Sequence, residues 1–146
     1  MTINFKTYEA RDKNACLSLF DANCPDYFAP NERAEYEEFL DENPSDYLLC
    51  AANDRIVGVF GIFPEQTGEC RLNWIMLNPR AQGMGIGSKI MDKAFKQAKY
   101  LNANIIHIAT SQVAYKFFEK FGAVTVKKTQ NGWGPAMDKI EMELRL

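Results

Sequence analysis

The sequence is poor in the residues from which metal sites and disulfide frameworks are built. It has one histidine, His107, and four cysteines, Cys16, Cys24, Cys50 and Cys70, which lie far apart with no CxxC spacing. A structural zinc site and a secreted disulfide scaffold are both excluded as organising devices, and reduced thiols in a cytoplasmic setting follow. No apolar run approaches the roughly 20 residues of a membrane-spanning helix. Residues 1–12 alternate polar and apolar side chains where a secretion signal would be continuously apolar. Nor is there an excess of positive charge: 17 Lys plus Arg stand against 19 Asp plus Glu, a net charge of −2, so nothing draws the chain to nucleic acid. Repeats, low-complexity tracts and linkers are missing too. What remains is the composition of a soluble globular chain, 47% apolar and 25% charged. Its 146 residues suffice for one domain, 1–146, with one core.

Strand and helix signals follow one another along the chain. Ile3, Phe5 and Thr7 alternate with polar neighbours and read as a first strand. A helix is expected over residues 13–23, with Cys16, Leu17, Leu19 and Phe20 at helical spacing, Asp12 as N-cap and Pro25 closing it. Two prolines and two aromatics mark 24–30 as a loop, after which Tyr36, Phe39 and Leu40 repeat helically within 31–41. Two β-rich runs, 47–52 and 56–63, flank the polar turn Asn53, Asp54, Arg55, and 69–77 reads as another strand after a turn at 64–68. Within 87–101 the apolar set Ile90, Met91, Ala94, Phe95, Ala98 and Leu101 keeps a 3.6-residue period. Residues 104–109 form a short strand, and 113–121 a helix with Ala114, Phe117, Phe118 and Phe121 on one stripe and Gly122 at its end. Final strands at 123–128 and 139–146 enclose a loop, 129–138. The order β-α-α-β-β-β-α-β-α-β-β predicts an α/β domain with a mixed sheet, in which hairpins coexist with two crossovers.

Between a strand and the strongest helix lies Leu77-Asn-Pro-Arg-Ala-Gln82-Gly83-Met84-Gly85-Ile86-Gly87-Ser88, with three glycines at alternate positions. The first N–H groups of a helix lack internal partners and the helix dipole is positive there, so the position favours an anion, and glycines let backbone donors close around a phosphate. A plain tight turn is the alternative, and it suits one glycine better than three. The dinucleotide pattern GxGxxG fails because position 88 is Ser88, and no GxxxxGK[ST] occurs. A third phosphate-binding pattern, [Gln/Arg]-x-x-Gly-x-[Gly/Ala], is met in full by residues 82–87. On this motif and on the element order, which matches from end to end, the chain resembles the GNAT family of N-acetyltransferases.

The resemblance implies a single-domain GNAT fold and acetyl-CoA as donor of an acetyl group that passes directly to a primary amine of a small molecule or peptide. It implies that backbone N–H groups of Gln82, Gly83, Met84, Gly85, Ile86, Gly87 and Ser88 hold the CoA pyrophosphate. The pantetheine arm would lie along Ile75 and Leu77 as an added strand would, with the Ile75 N–H polarising the thioester carbonyl. Ser111 and Phe118 are its further cofactor contacts, since Ser111-Gln-Val-Ala114-Tyr-Lys-Phe-Phe118-Glu-Lys-Phe-Gly122-Ala123 fits the family's Asn-x-x-Ala-x-x-x-Tyr-Glu-Lys-x-Gly-Phe. Phe118 stands where the family keeps the tyrosine that reprotonates the departing thiolate. Tyr115, one turn earlier, and water are the candidate proton donors in its place.

A general base has several candidates. Period-two alternation puts Glu69, Arg71, Asn73, Ile75 and Leu77 on one face, with Arg71 at the position of the catalytic glutamate of some family members, Glu69 able to work through water, and Asn73 within reach of substrate. His107 sits mid-strand and is the one imidazole available as a base. The family's acceptor route passes between the loop at 24–30 and the loop at 129–138. There Tyr27, Phe28 and Trp133 supply aromatic walls, and Asp26, Glu32, Glu35 or Asp138 could attract an amine. The expected partners are acetyl-CoA and an amine, with no nucleic acid or membrane, acting as monomer or homodimer. The rival reading is a binding module of the same fold, an acyl-CoA sensor or partner subunit, which Phe118 keeps open.

Overall fold

The computed structural model describes residues 2–146; Met1, part of the expected domain, lies outside them. The described residues form β1 (Ile3–Thr7), α1 (Lys13–Asn23), α2 (Glu32–Asp41), β2 (Tyr47–Ala52), β3 (Arg55–Pro64), β4 (Glu69–Leu77), α3 (Ile86–Tyr100), β5 (Ile105–Thr110), α4 (Tyr115–Glu119), β6 (Val124–Gly134) and β7 (Met137–Arg145). This is the order expected from the sequence. The strands make one sheet in the order β1-β2-β3-β4-β5-β7-β6. Only β4 and β5 pair in parallel, because the chain returns between them through α3; all other neighbours are antiparallel.

Each face of the sheet carries its own core. On one, α3 buries Ile86, Ile90, Met91, Ala94 and Ala98 against Phe60, Cys70, Leu72, Ile106 and Ile108. On the other, α1 and α2 bury Cys16, Leu17, Phe20, Tyr36 and Leu40 against Tyr47, Leu49, Val59 and Met76. The β2–β3 turn places Asn53 and Asp54 at φ 50° and 69°, the left-handed pair that matches strand twist in a two-residue hairpin. No helix among the described residues is long and apolar enough to cross a membrane.

Three local expectations are corrected. The helix expected over 113–121 is the five-residue α4, because its first turn winds instead around Ser111, whose carbonyl accepts from Ala114 and Tyr115 and whose Oγ accepts from Val113 N. The loop expected at 129–138 is largely a continuation of the β6–β7 hairpin. Its polar, glycine-rich sequence hides a strand whose backbone donors are tied by side chains: Asn131 N donates to Asp138 Oδ1 and Ala136 N to Asn131 Oδ1. Asp12 stands before α1 but makes no capping bond to it; its carboxylate accepts from Glu9 N and from Lys6 Nζ.

Candidate active site

The site begins with an irregularity in β4. Val59 pairs with Met76 and Gly61 with Asn73, so Trp74 and Ile75 together oppose Phe60 alone. Trp74 sits at φ 47°, a left-handed conformation that costs a bulky residue about 1–3 kcal/mol. Packing over-determines it: the indole lies 4.9 Å from the Tyr36 ring and 6.1 Å from Phe28, and its carbonyl accepts from the buried Tyr47 hydroxyl at 2.7 Å. Tyr36 completes this polar chain at 2.9 Å from Tyr47.

The bulge overturns the expected alternation. Ile75 and Leu77 lie not on the face of Glu69, Arg71 and Asn73 but on the α3 face with Cys70 and Leu72, while Trp74 and Met76 turn toward α1 and α2. One extra residue in the strand reverses the phase of all that follow.

Beyond the bulge β4 loses its other neighbour. Its pairing with β5 stops at Leu72 and Ile108, although β4 continues to Leu77 and β5 to Thr110. Ile75 thus has no strand partner on either side. A cavity of about 650 Å³ passes through the parting. On the α3 face it is lined by Ile75, Leu77, Ile90, Phe117 and Phe118; on the α1–α2 face by Asn23, Tyr27, Phe28, Glu32, Trp74 and Trp133.

The glycine turn closes the α3 end of this cavity. Gly83 and Gly85 hold φ 80° and 78°, and no atom lies within 4 Å of where a Cβ would stand on either. Their glycine requirement is one of backbone conformation and open space, as a bound anion needs. Gly87 differs: a Cβ there would meet Phe117 at 2.9 Å, so this third glycine serves helix packing. The N–H groups of residues 83–88 have no close acceptor among the described residues, leaving a cluster of orphan donors at the positive end of a 15-residue helix. These features fit a diphosphate. Ile86 buries its side chain in the core and Met84 exposes its own, so neither side chain lines the cavity and only their backbone can serve a ligand there.

Of the other expected site residues, Gln82, Ser88, Ser111, Phe118, Tyr27, Phe28, Asn73 and Trp133 all line the cavity. Tyr27 and Gln82 meet across it at 3.4 Å, and Trp133 is fixed by its indole N–H donating to Thr110 O. Tyr115 does not line the cavity and packs against the α3 core, because the shortened α4 turns it away. Glu69 pairs with His107 and Arg71 with Glu65, outside the cavity wall. Asp26, Glu35 and Asp138 are also absent from the wall.

Glu32 behaves differently from the other carboxylates. It is 3% exposed, at the start of α2, and Oε2 accepts from Ala29 N at 2.8 Å. Burial pushes its carboxyl up to about 7, against the lowering effect of the Ala29 bond, and the charge of Glu35 raises it further. In the sequence Glu32 is one of several acidic residues in a polar segment, and nothing local marks it as buried. Trp74 and Asn23, also in the wall, carry no sequence signal either.

The family model described as Acetyltransferase (GNAT) family matches residues 16–123. No curated protein sequence matches the chain. Among solved structures, Ard1 from Thermoplasma volcanium superposes with a TM-score of 0.84 at 15% identity, covering 100% of this chain and 99% of its own. The ribosomal-protein-S18-alanine N-acetyltransferase from Escherichia coli gives 0.80 at 14% identity, covering 99% and 94%. An aminoglycoside 6'-N-acetyltransferase complexed with coenzyme A gives 0.76 at 17%, covering 99% and 97%. At such identities these likenesses concern the fold, whereas the family match spans the α1–α2 region, the bulged strand and the glycine turn; the chain belongs to the GNAT family of acetyltransferases.

Proposed function

We propose that the protein transfers an acetyl group from acetyl-CoA directly to a primary amine of a small molecule or peptide. The observation that carries this reading is the single cavity running from the open N–H groups of residues 83–88, through the parting of β4 and β5, to the aromatic chamber of Tyr27, Phe28 and Trp133. The pyrophosphate binds at the turn, the pantetheine arm follows Leu77 and Ile75, and the thioester reaches the gap where the two faces communicate. There the Ile75 N–H, in the bulge and outside the regular strand register, stabilises charge developing on the carbonyl oxygen. Because the bulge holds this donor in place before substrate arrives, little reorganisation accompanies the reaction.

The leaving thiolate takes its proton from water. Phe118 has none to give and Tyr115 is outside the cavity wall, while a thiol of ordinary pKa near 8.5 needs little help. The same reading takes the chain as one cytoplasmic domain, monomeric or homodimeric. Calorimetric titration with acetyl-CoA, CoA and NADH, followed by thiol release across a panel of primary amines, tests it. CoA binding with amine-dependent release is expected. Binding without release would favour the acyl-CoA sensor, which the absence of a hydroxyl at Phe118 supports; no CoA binding would overturn both.

A further inference from the structure

The cavity wall holds one carboxylate among the described residues, Glu32, and one basic side chain, Lys120. Glu32 lies on the α1–α2 face, on the acceptor side of the parting. Its two oxygens differ. Oε2 is engaged by Ala29 N. Oε1 has no protein partner, yet no side-chain oxygen of the described residues is both sealed from solvent and unpaired. The free oxygen is therefore open to solvent, on a residue that borders the cavity. Asn23, Tyr27, Phe28, Trp74 and Trp133 line the same side of the cavity, so the wall that carries the carboxylate is mostly aromatic. A buried anion beside aromatic surface suits an ammonium group, whose charge both would attract.

We propose that Glu32 is the general base of the reaction, taking a proton from the acceptor's ammonium group at Oε1. This rests on the acetyltransferase reading above. With that proton on Glu32, the amine lone pair forms the C–N bond to the thioester carbon. The carbonyl electron pair moves onto oxygen, opposite the Ile75 N–H. Re-forming the C=O bond breaks C–S, and that pair leaves on the CoA sulfur. The second nitrogen proton reaches the sulfur through water, and Glu32 returns its own proton to solvent. The products are the amide, the CoA thiol and one proton.

The titratable groups near Glu32 are Glu35 on its own helix and Cys24 and Tyr27 in the preceding loop, with Lys120 elsewhere in the cavity wall; on this face the sheet presents Asn73, Trp74 and Met76, and the β6–β7 hairpin presents Trp133 with Lys139 over its ring. A carboxyl raised toward neutrality is matched to base catalysis near pH 7.

The test compares wild type with Glu32→Gln, which keeps an acceptor for Ala29 N. Acetyl-CoA affinity by calorimetry should agree within about twofold, while kcat/KM for amines falls about 10²–10³-fold. The wild-type profile should rise to a plateau with an apparent pKa near 7, and the variant should lose that limb. A variant within threefold of wild type with an unchanged profile overturns the proposal and leaves the acetyltransferase reading intact. A wild type that does not bind acetyl-CoA overturns that reading and the proposal with it. Independently of turnover, the ¹³C resonance of the Glu32 carboxyl, assigned by its loss in the variant, should titrate near 7 and shift its midpoint down on adding benzylamine but not benzyl alcohol. A midpoint below 5 that benzylamine leaves unmoved overturns the assignment.

Discussion

The Tyr47 hydroxyl donates to the carbonyl oxygen of Trp74 at 2.7 Å, across 27 residues of sequence, and so holds the peptide group that ends in the Ile75 N–H. The bond crosses from β2 to the bulge in β4, and Tyr36 supports it from α2. Tyr47→Phe removes the donor and leaves a buried carbonyl unpaired. We expect a loss of about 1–3 kcal/mol in stability, measured by denaturant midpoint. With the bulge less constrained, kcat should fall about tenfold or more while acetyl-CoA affinity changes little, since misplacing a reacting group by an ångström is costly.

The three glycines of the turn should separate by function. Gly85→Ala meets no steric obstacle but strains a left-handed residue by about 1–2 kcal/mol, and it disturbs the N–H cluster, so CoA affinity should fall at least about tenfold by calorimetry. Gly87→Ala instead drives a methyl group to 2.9 Å from Phe117. Its expected signature is a Tm lowered by about 3–6 °C, with a smaller loss of CoA affinity.

Tyr115→Phe should change kcat less than twofold, because the Tyr115 side chain does not border the cavity. A tenfold loss in a steady-state assay would show that the hydroxyl reaches the thiolate after all.

Glu32 also predicts a pH dependence of stability. Its carboxyl is raised from 4.5 to about 7 in the folded chain. Between these values the folded state binds more protons than the unfolded one, so this group's contribution is complete below about pH 4.5 and is lost as the pH rises through 7. Glu32→Gln should therefore be more stable than wild type at pH 8 by on the order of 2–3 kcal/mol, relative to their difference at pH 4.5. Chemical denaturation at the two pH values reads this directly.

What the sequence by itself determined was the local order. Apolar spacing located α3, period-two runs located β2, β3 and β4, and the glycine spacing of residues 82–87 singled out the anion turn, because each is a pattern within a few turns of chain. Tyr27, Phe28 and Trp133 were legible as aromatic residues, and all three line the cavity, although Trp133 stands on β6 where a loop was expected. The tertiary structure alone decided which of these residues work together. The bulge at Trp74 arises from register between β3 and β4 and from the distant Tyr36 and Tyr47, so no local pattern announced it, and period-two counting failed beyond Asn73. Burial of Glu32 depends on walls contributed by a loop, two strands and a hairpin far apart in sequence. Its raised carboxyl follows from that desolvation. Periodicity is a property of neighbours along the chain, whereas strain, desolvation and the parting of two strands exist only once remote segments have packed.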